Sequence, residues 1–159
     1  KDLDDYVARR ANVAAFFDRY FDLPTIAKFS AGPYWRAATA NQKIAYESAI
    51  RDVIIGTVVR NFDQLAGFKF TATDSQAKGK QLVLVNGIFT DVNQQKPAIA
   101  VGWRVITAKT ASPLILDVEI ENISMLVTQK QENIAIIRKN EGKFAALIDA
   151  MKQRSQSNN

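Results

Sequence analysis

Gly67-Phe68-Lys69-Phe70-Thr71 is the stretch at which the hydrophobic period of the chain changes from about 3.6 residues to about 2. Before it, apolar side chains recur at helical spacing, and after it they alternate with polar ones. Three further strand-like segments follow at residues 82–90, 99–107 and 114–120, with polar turns between them. Helices followed by a meander of four strands predict an α+β fold with an antiparallel sheet.

Two helices are predicted at the start of the chain. An amphipathic stretch begins near residue 3 and must end before Pro24, because proline cannot continue a helix. A short second helix over residues 24–30 is expected to end at Gly32, since glycine readily takes the left-handed conformation of a helix terminus.

Longer helices are predicted before and after the strands in the sequence. Thr39 and Gln42 have the spacing of a capping box, and the helix behind them is expected to run to about residue 66. Ser124 is a suitable N-cap for a helix after the last strand, and a final amphipathic helix is expected beyond Gly142.

The register of the two central strands follows from side-chain alternation. If Thr90 lies near Ala98 across the turn at residues 91–97, one face of the sheet becomes strongly apolar. That face carries Val83, Val85, Gly87, Phe89, Ile99, Val101, Trp103 and Val105. We expect helices to lie across this sheet, because such a layer can enclose an apolar pocket.

Composition sets limits on function. The chain has 159 residues, 47% hydrophobic and 23% charged, which predicts one domain over residues 1–152 and a disordered polar tail at 153–159. It contains no cysteine or histidine, and this excludes thiol nucleophiles, disulfides, serine-histidine triads and the usual zinc sites. No metal or cofactor is expected.

The net charge of +5 favours anionic partners such as phosphate groups or membrane surfaces. The basic residues are too dispersed for a nucleic-acid patch, so no nucleic-acid partner is expected. Arg36 and Arg104 could recognise an anion, and either could equally be a surface residue or a partner of the carboxylates on the last strand. Asp117, Glu119 and Glu121 alternate along the last strand, where we interpret them as a solvent-facing row rather than as an acid/base pair.

Several segments together resemble one known family. Two of them are Phe21-Asp22-Leu23-Pro24-Thr25-Ile26-Ala27-Lys28-Phe29 and Gly32-Pro33-Tyr34-Trp35-Arg36-Ala37-Ala38-Thr39, followed by Ile50-Arg51-Asp52 in the long helix. Near the end, Asp117-Val118 and Glu121-Asn122-Ile123-Ser124-Met125 look like a closing Asp-Val to Glu-Gly-Val-Ser-Leu segment. In this order they resemble the MlaC-type family, also called the toluene-tolerance family.

Two positions depart from the pattern of that family. Asn122 stands where glycine is usual, and Val59 stands where an aromatic residue is common. Asparagine tolerates positive φ better than other non-glycine residues, so the turn can be kept. The missing aromatic side chain is consistent with a differently shaped cavity.

The resemblance implies a periplasmic lipid carrier of Gram-negative bacteria whose signal peptide has been removed. Its fold would be a cone, NTF2-like, with N-terminal helices on a curved four-stranded sheet and C-terminal helices enclosing an apolar cavity. Its ligand would be a phospholipid, and the runner-up is a hopanoid. Its partners would be an outer-membrane lipoprotein complex and an inner-membrane ABC transporter with an MCE-type ring, with transient membrane contact.

The side chains expected to contact the lipid are apolar residues of both layers. They are Phe29, Tyr34, Trp35, Ile50, Val53, Ile54, Val58, Val83, Val85, Phe89, Val101, Trp103, Val105 and Met125. Two other classes of function stay open. Similar cone-shaped folds host isomerases and dehydratases, for which only Tyr34, Tyr46 or a buried Asp117 could serve, and a pure interaction module would use the aromatic residues as core.

Overall fold

A computed structural model describes residues 2–107 and 112–157 of the protein, with the side chains of residues 2 and 3 outside that description. The helices are α1 (Asp2–Tyr20), α2 (Leu23–Ser30), α3 (Ala40–Arg60), α4 (Phe62–Leu65), α5 (Met125–Lys139) and α6 (Phe144–Gln156), and a 3₁₀ turn spans Gly32–Trp35. The strands are β1 (Phe68–Ala77), β2 (Leu82–Asp91), β3 (Ile99–Ile106), β4 (Leu114–Ile120) and β5 (Ile123–Ser124).

The helix caps confirm the sequence signals. Thr39 Oγ1 accepts a hydrogen bond from the backbone N–H of Gln42 at 3.2 Å, and Gln42 Oε1 accepts one from the backbone N–H of Thr39 at 2.9 Å. Ser124 Oγ accepts from the backbone N–H of Val127 at 3.0 Å. Both helices therefore begin where a side chain satisfies backbone donors that have no partner within the helix.

The prediction of one helix reaching residue 66 is wrong, because the helix ends at Arg60. Asn61 Nδ2 donates to the carbonyl oxygen of Thr57 at 2.8 Å, and the Asn61 backbone N–H donates to the same oxygen at 3.2 Å. An asparagine side chain that bonds the local backbone competes with helix propagation. The remaining apolar residues form α4, a single turn.

The last helix also differs from the prediction. The polar tail was expected from residue 153, whereas α6 continues to Gln156. The difference arises because serine and glutamine stay helical where hydrogen bonds support them: Ser155 Oγ donates to the carbonyl oxygen of Lys152 at 2.8 Å. Residues 158 and 159 of the predicted tail lie outside the described residues.

The sheet is antiparallel in the order β1-β2-β3-β4-β5 and has one strand more than predicted. The predicted register of the central pair is confirmed, since Phe89 pairs with Ile99 and Val85 with Trp103. The extra strand, β5, forms a two-residue hairpin with β4 through Glu121 and Asn122, whose φ angles are +49° and +65°. Asn122 thus adopts the left-handed conformation expected for it.

Two buried apolar clusters form the core, and both lie among the helices. The larger one joins α2, α3, α5 and α6 around side chains such as Tyr46, Ile137 and Leu147, each 0% exposed. The smaller one joins α1 to α3 and includes Val59, which stands where an aromatic residue is common in the family that the sequence resembles. The helix α3 contributes to both clusters, so it is the centre of the helical layer.

Candidate functional site

Four aromatic rings cluster on the apolar face of the sheet. Phe70 and Phe89 pair across β1 and β2 with ring centroids 5.3 Å apart. Trp103 on β3 lies 6.0 Å from Phe70 and 6.3 Å from Phe89, and Phe68 lies 6.5 Å from Phe89. These tilted and edge-on arrangements are the ones that aromatic pairs prefer. The rings form a connected apolar surface across three strands.

Gly87 makes room for this aromatic cluster. A Cβ atom at residue 87 would lie 2.4 Å from two ring carbons of Phe70 and 2.5 Å from the carbonyl oxygen of Thr71. Contacts that short are excluded by van der Waals repulsion, so any larger residue would displace the Phe70 ring. The space beside the Gly87 backbone is filled by the Phe70 ring.

The helices leave the apolar face partly open. They contact the sheet mainly at its β4 and β5 edge, through α1, α2 and α5. Of the predicted site residues on this face, Val101 is 5% exposed and the others are only half-buried, namely Val83, Val85, Phe89, Trp103 and Val105. Within the described chain, neither buried core cluster includes a residue of β1, β2 or β3. A large apolar surface outside the core indicates a binding site.

The predicted site residues of α3 divide into two pairs. Ile50 and Val53 are 3% and 6% exposed and pack inside the larger core cluster. Ile54 and Val58 are half-buried, and Ile54 packs against both core clusters whereas Val58 packs against the smaller one. The first pair therefore contributes to the helical core, and the second pair lies at its edge.

Phe29 and Trp35 line a surface groove of about 660 Å³ to which no described strand residue contributes. Phe29 is 40% exposed there, and the Trp35 ring also packs 6.4 Å from that of Tyr46. Tyr34 packs against the larger core cluster, and Met125, the first residue of α5, is 38% exposed. The structure thus brings together the six predicted strand residues but places Phe29 and Trp35 in a separate groove.

The charged row on the last strand is solvent-facing only at Glu121, so the prediction is wrong for Asp117 and Glu119. Arg104 pairs with Asp117 and Val105 with Ile115, so Leu116 is an extra residue in β4. Asp117 is 5% exposed, and Arg104 Nε donates to Glu119 Oε1 at 2.9 Å. The predicted anion site at Arg104 is therefore occupied by a carboxylate of the same sheet.

Asp117 is a structural cap. Its Oδ1 accepts hydrogen bonds from the backbone N–H groups of Val118 at 2.7 Å and of Leu126 at 2.9 Å. Its Oδ2 accepts from Ser124 Oγ. These bonds fix the β4–β5 hairpin and the first turn of α5, which gives a physical reason for an Asp-Val pair before Ser124.

Tyr46 lies in a buried polar network that joins α2, α3 and α5. Its hydroxyl donates to Ser30 Oγ at 2.6 Å, because the Ser30 hydroxyl itself donates to the carbonyl oxygen of Ala27. Asn133 Nδ2 donates to the Tyr46 hydroxyl at 2.8 Å and to the carbonyl oxygen of Ser30 at 3.0 Å. Burial raises the pKa of Tyr46 to about 12. The hydroxyl is neutral, fully hydrogen-bonded and 0% exposed.

Sequence reasoning missed four residues that the structure adds to these surfaces. Phe68 and Phe70 alternate correctly for the apolar face, so their spacing could have included them. Lys28 and Lys130 line the groove beside Phe29 and Trp35. No sequence signal connects these two lysines, because they lie on α2 and α5.

In the described ranges, every helix is too short or too polar to cross a bilayer. The architecture that they define is an α+β domain with a closed helical core and a partly open apolar sheet.

The chain matches the MlaC protein family over residues 1–153 and belongs to that family, which confirms the resemblance. Among solved structures it is similar to a phospholipid-binding protein from Ralstonia solanacearum in complex with a phospholipid. The TM-score is 0.79 at 17% identity, over 98% of this chain and 93% of that chain, which shows a shared fold. A search of curated proteins gave no match.

Proposed function

We propose that the protein is a phospholipid carrier that holds acyl chains against the apolar face of β1, β2 and β3. The observation that carries this proposal is the half-buried surface around Phe70, Phe89 and Trp103, which the helices leave partly open. Membership of the MlaC family and the phospholipid-bound neighbour of the same fold support it.

The energetics of transfer favour such a surface. Each buried methylene contributes about 0.8 kcal/mol relative to water, so an acyl chain alone gives a gross term of roughly 10 kcal/mol. The same chain is buried in the bilayer from which it comes, so most of this term cancels on transfer. Affinity relative to a membrane then depends on how well the acyl chain packs against the aromatic cluster.

We further propose that the carrier works in the periplasm and has a cleaved signal peptide. Its partners would be an outer-membrane lipoprotein complex and an inner-membrane ABC transporter with an MCE-type ring. The family membership supports this role. A polycyclic lipid such as a hopanoid is the second candidate ligand, because flat aromatic side chains such as Trp103 can pack against rigid rings.

The side chains that an isomerase or dehydratase would need are already engaged in structural hydrogen bonds or packing. Tyr46 is enclosed in the network with Ser30 and Asn133, and the Asp117 carboxylate caps the start of α5. Tyr34 packs against the larger core cluster. These contacts favour a binding protein over an enzyme at this site.

A matched pair of substitutions on β2 tests the proposal. Phe89→Glu places a charge on the apolar face, whereas Ile88→Glu places the same charge on the neighbouring residue, which is 39% exposed on the opposite face. Each protein is purified, its fold is checked by circular dichroism, and its organic-solvent extract is analysed by mass spectrometry. We expect phospholipid with the wild type and with Ile88→Glu, and loss of most of it with Phe89→Glu.

Three outcomes would contradict this assignment. Equal lipid loading in the two folded variants would show that the acyl chains lie elsewhere. A polycyclic lipid in the wild-type extract would show that the second candidate, and not a phospholipid, is the ligand. An extract without lipid, combined with no uptake from added liposomes, would contradict the carrier function itself.

A further inference from the structure

The groove lined by Phe29 and Trp35 combines apolar walls with positive charge. Its lining includes the cationic side chains of Lys28, Arg36 and Lys130, which come from α2, the end of the 3₁₀ turn and α5. None of its lining residues is acidic. The groove is shallow and has a volume of about 660 Å³.

Within the described chain, Arg36 has no carboxylate partner, which sets it apart from most arginines, whereas Lys28 and Lys130 are unpaired as most described lysines are. Elsewhere, ion pairs neutralise Arg9, Arg10, Arg51, Arg104 and Arg154. Among the described residues, no carboxylate forms an ion pair with any of the three groove cations. The groove therefore carries a local positive field that the fold leaves unbalanced.

Two cations are held on the aromatic walls. Lys130 Nζ lies 4.7 Å from the centre of the Phe29 ring, and Lys43 Nζ lies 5.5 Å from that of Trp35. Gly32, with φ +61°, allows this arrangement: a Cβ atom there would lie 3.0 Å from Ile134 Cδ1 and 3.3 Å from Lys130 Cε. The Lys130 stem thus packs against the 3₁₀ turn, which reduces the entropy lost when the charge binds a partner.

We propose that this groove docks an acidic segment of a partner protein. Its carboxylates would meet Lys28, Arg36 and Lys130, and an apolar side chain between them would pack on Phe29 and Trp35. The groove is open to solvent, so a protruding peptide segment can reach its cations. The apolar walls favour a peptide over a free phosphate, because a peptide can also bury an apolar side chain against the exposed part of the Phe29 ring.

The test uses a short fluorescein-labelled peptide in which several glutamates flank one phenylalanine, and a control peptide with glutamine in place of glutamate. Binding to the full chain is measured by fluorescence anisotropy. The groove variant carries Lys28→Glu, Arg36→Glu and Lys130→Glu. The matched control carries Lys69→Glu, Lys78→Glu and Lys80→Glu, which change the net charge equally at exposed residues on β1 and the β1–β2 turn.

We expect the groove variant to bind the acidic peptide at least about tenfold more weakly than the wild type does, and the matched control to bind it within about twofold. The glutamine peptide should bind weakly to all three proteins. Both variants should retain the co-purified lipid, so a failure of the lipid-binding proposal is distinguishable from a failure of this one.

Three results would overturn the docking proposal. Equal weakening by the two triple variants would show that only the net charge matters. Equal binding of the two peptides would show that carboxylates are not recognised. If anionic vesicles or glycerol phosphate, but not the peptide, compete for the groove cations, the site recognises a lipid headgroup or a phosphate instead.

Discussion

The helical core and the apolar face of the sheet are both rich in large apolar side chains, but the two regions bury them differently. In the helical core, Tyr46, Ile137 and Leu147 are 0% exposed and the polar groups among them are hydrogen-bonded. On the sheet, Phe89 and Trp103 stay half-buried. The helical core buries its apolar side chains almost completely, whereas the sheet keeps part of its apolar surface accessible, and there we propose that the lipid binds. We assign stability to the first region and ligand binding to the second.

The largest expected effect is on the stability of the helical core. Leu147→Ala removes a side chain that is 0% exposed, and we expect the free energy of unfolding to fall by about 2–5 kcal/mol. Val85→Ala, at a half-buried position on the sheet, should cost about 1 kcal/mol in the lipid-free protein. Urea unfolding of both variants measures the difference. Equal losses would show that the sheet face is as much a part of the core as α6.

A second prediction concerns pH. Because the pKa of Tyr46 is raised from 10.0 to about 12, the folded state keeps its hydroxyl protonated where the unfolded state loses the proton. The stabilisation is complete below pH 10 and is lost as pH rises towards 12, by about 1.4 kcal/mol per pH unit. Tyr46→Phe removes the titrating hydroxyl, so this loss of stability at high pH should not occur in the variant. It also costs about 1–3 kcal/mol at neutral pH, because Ser30 and Asn133 lose a buried partner.

Urea unfolding at neutral pH and between pH 10 and 12 separates these two effects. At neutral pH the free energy of unfolding of the wild type should exceed that of Tyr46→Phe, and this difference should shrink as the pH rises. Parallel pH curves for the two proteins would mean that Tyr46 titrates as an ordinary tyrosine and that the polar network is not closed.

A smaller effect is expected where the sheet meets α5. Ser124→Ala removes the N-cap of α5 and the hydrogen bond to Asp117, and should cost about 1 kcal/mol. Lipid content should be unchanged, because this junction fixes the helix and not the apolar face. Unfolding and mass spectrometry of the same preparation check both statements. Loss of lipid at unchanged stability would place the junction in the binding site.

The alternation of side chains is the reason that much of the fold could be predicted from the sequence. Once Phe89 is set opposite Ile99, strict alternation fixes which residues share a face as far as Val83 and Val105. The caps at Thr39 and Ser124 are local as well, since each depends on residues within one helical turn.

The features that sequence reasoning missed depend on contacts between distant segments. Leu116 interrupts the alternation of β4, and Asp117 is buried because α5 begins against it, which no spacing within the strand indicates. The groove joins Lys28 to Lys130 across about a hundred residues of chain. The local sequence pattern therefore predicted which residues share the apolar face of the sheet. It predicted neither the edge of that face at β4 nor the groove lined by Phe29 and Trp35.

The smallest expected effect is that of salt on bound lipid. Apolar burial holds the acyl chains in this account, so raising salt from about 0.05 to 0.5 M should leave lipid bound to the purified protein. The same change should slow exchange with anionic vesicles, because it screens the net charge of +5 that favours encounter. Mass spectrometry after gel filtration and a fluorescent-lipid exchange assay measure the two effects. Release of lipid at high salt would make the headgroup the main anchor.

The two tryptophans allow the central claim to be tested directly, since Trp103 lies on the apolar face and Trp35 packs on the helical side. The protein is loaded with a phospholipid whose acyl chains carry bromine, a short-range quencher of tryptophan fluorescence. Trp35→Phe and Trp103→Phe isolate the two signals. We predict strong quenching of Trp103 and little quenching of Trp35. Quenching of Trp35 with Trp103 unaffected would contradict the assignment of the acyl chains to the sheet.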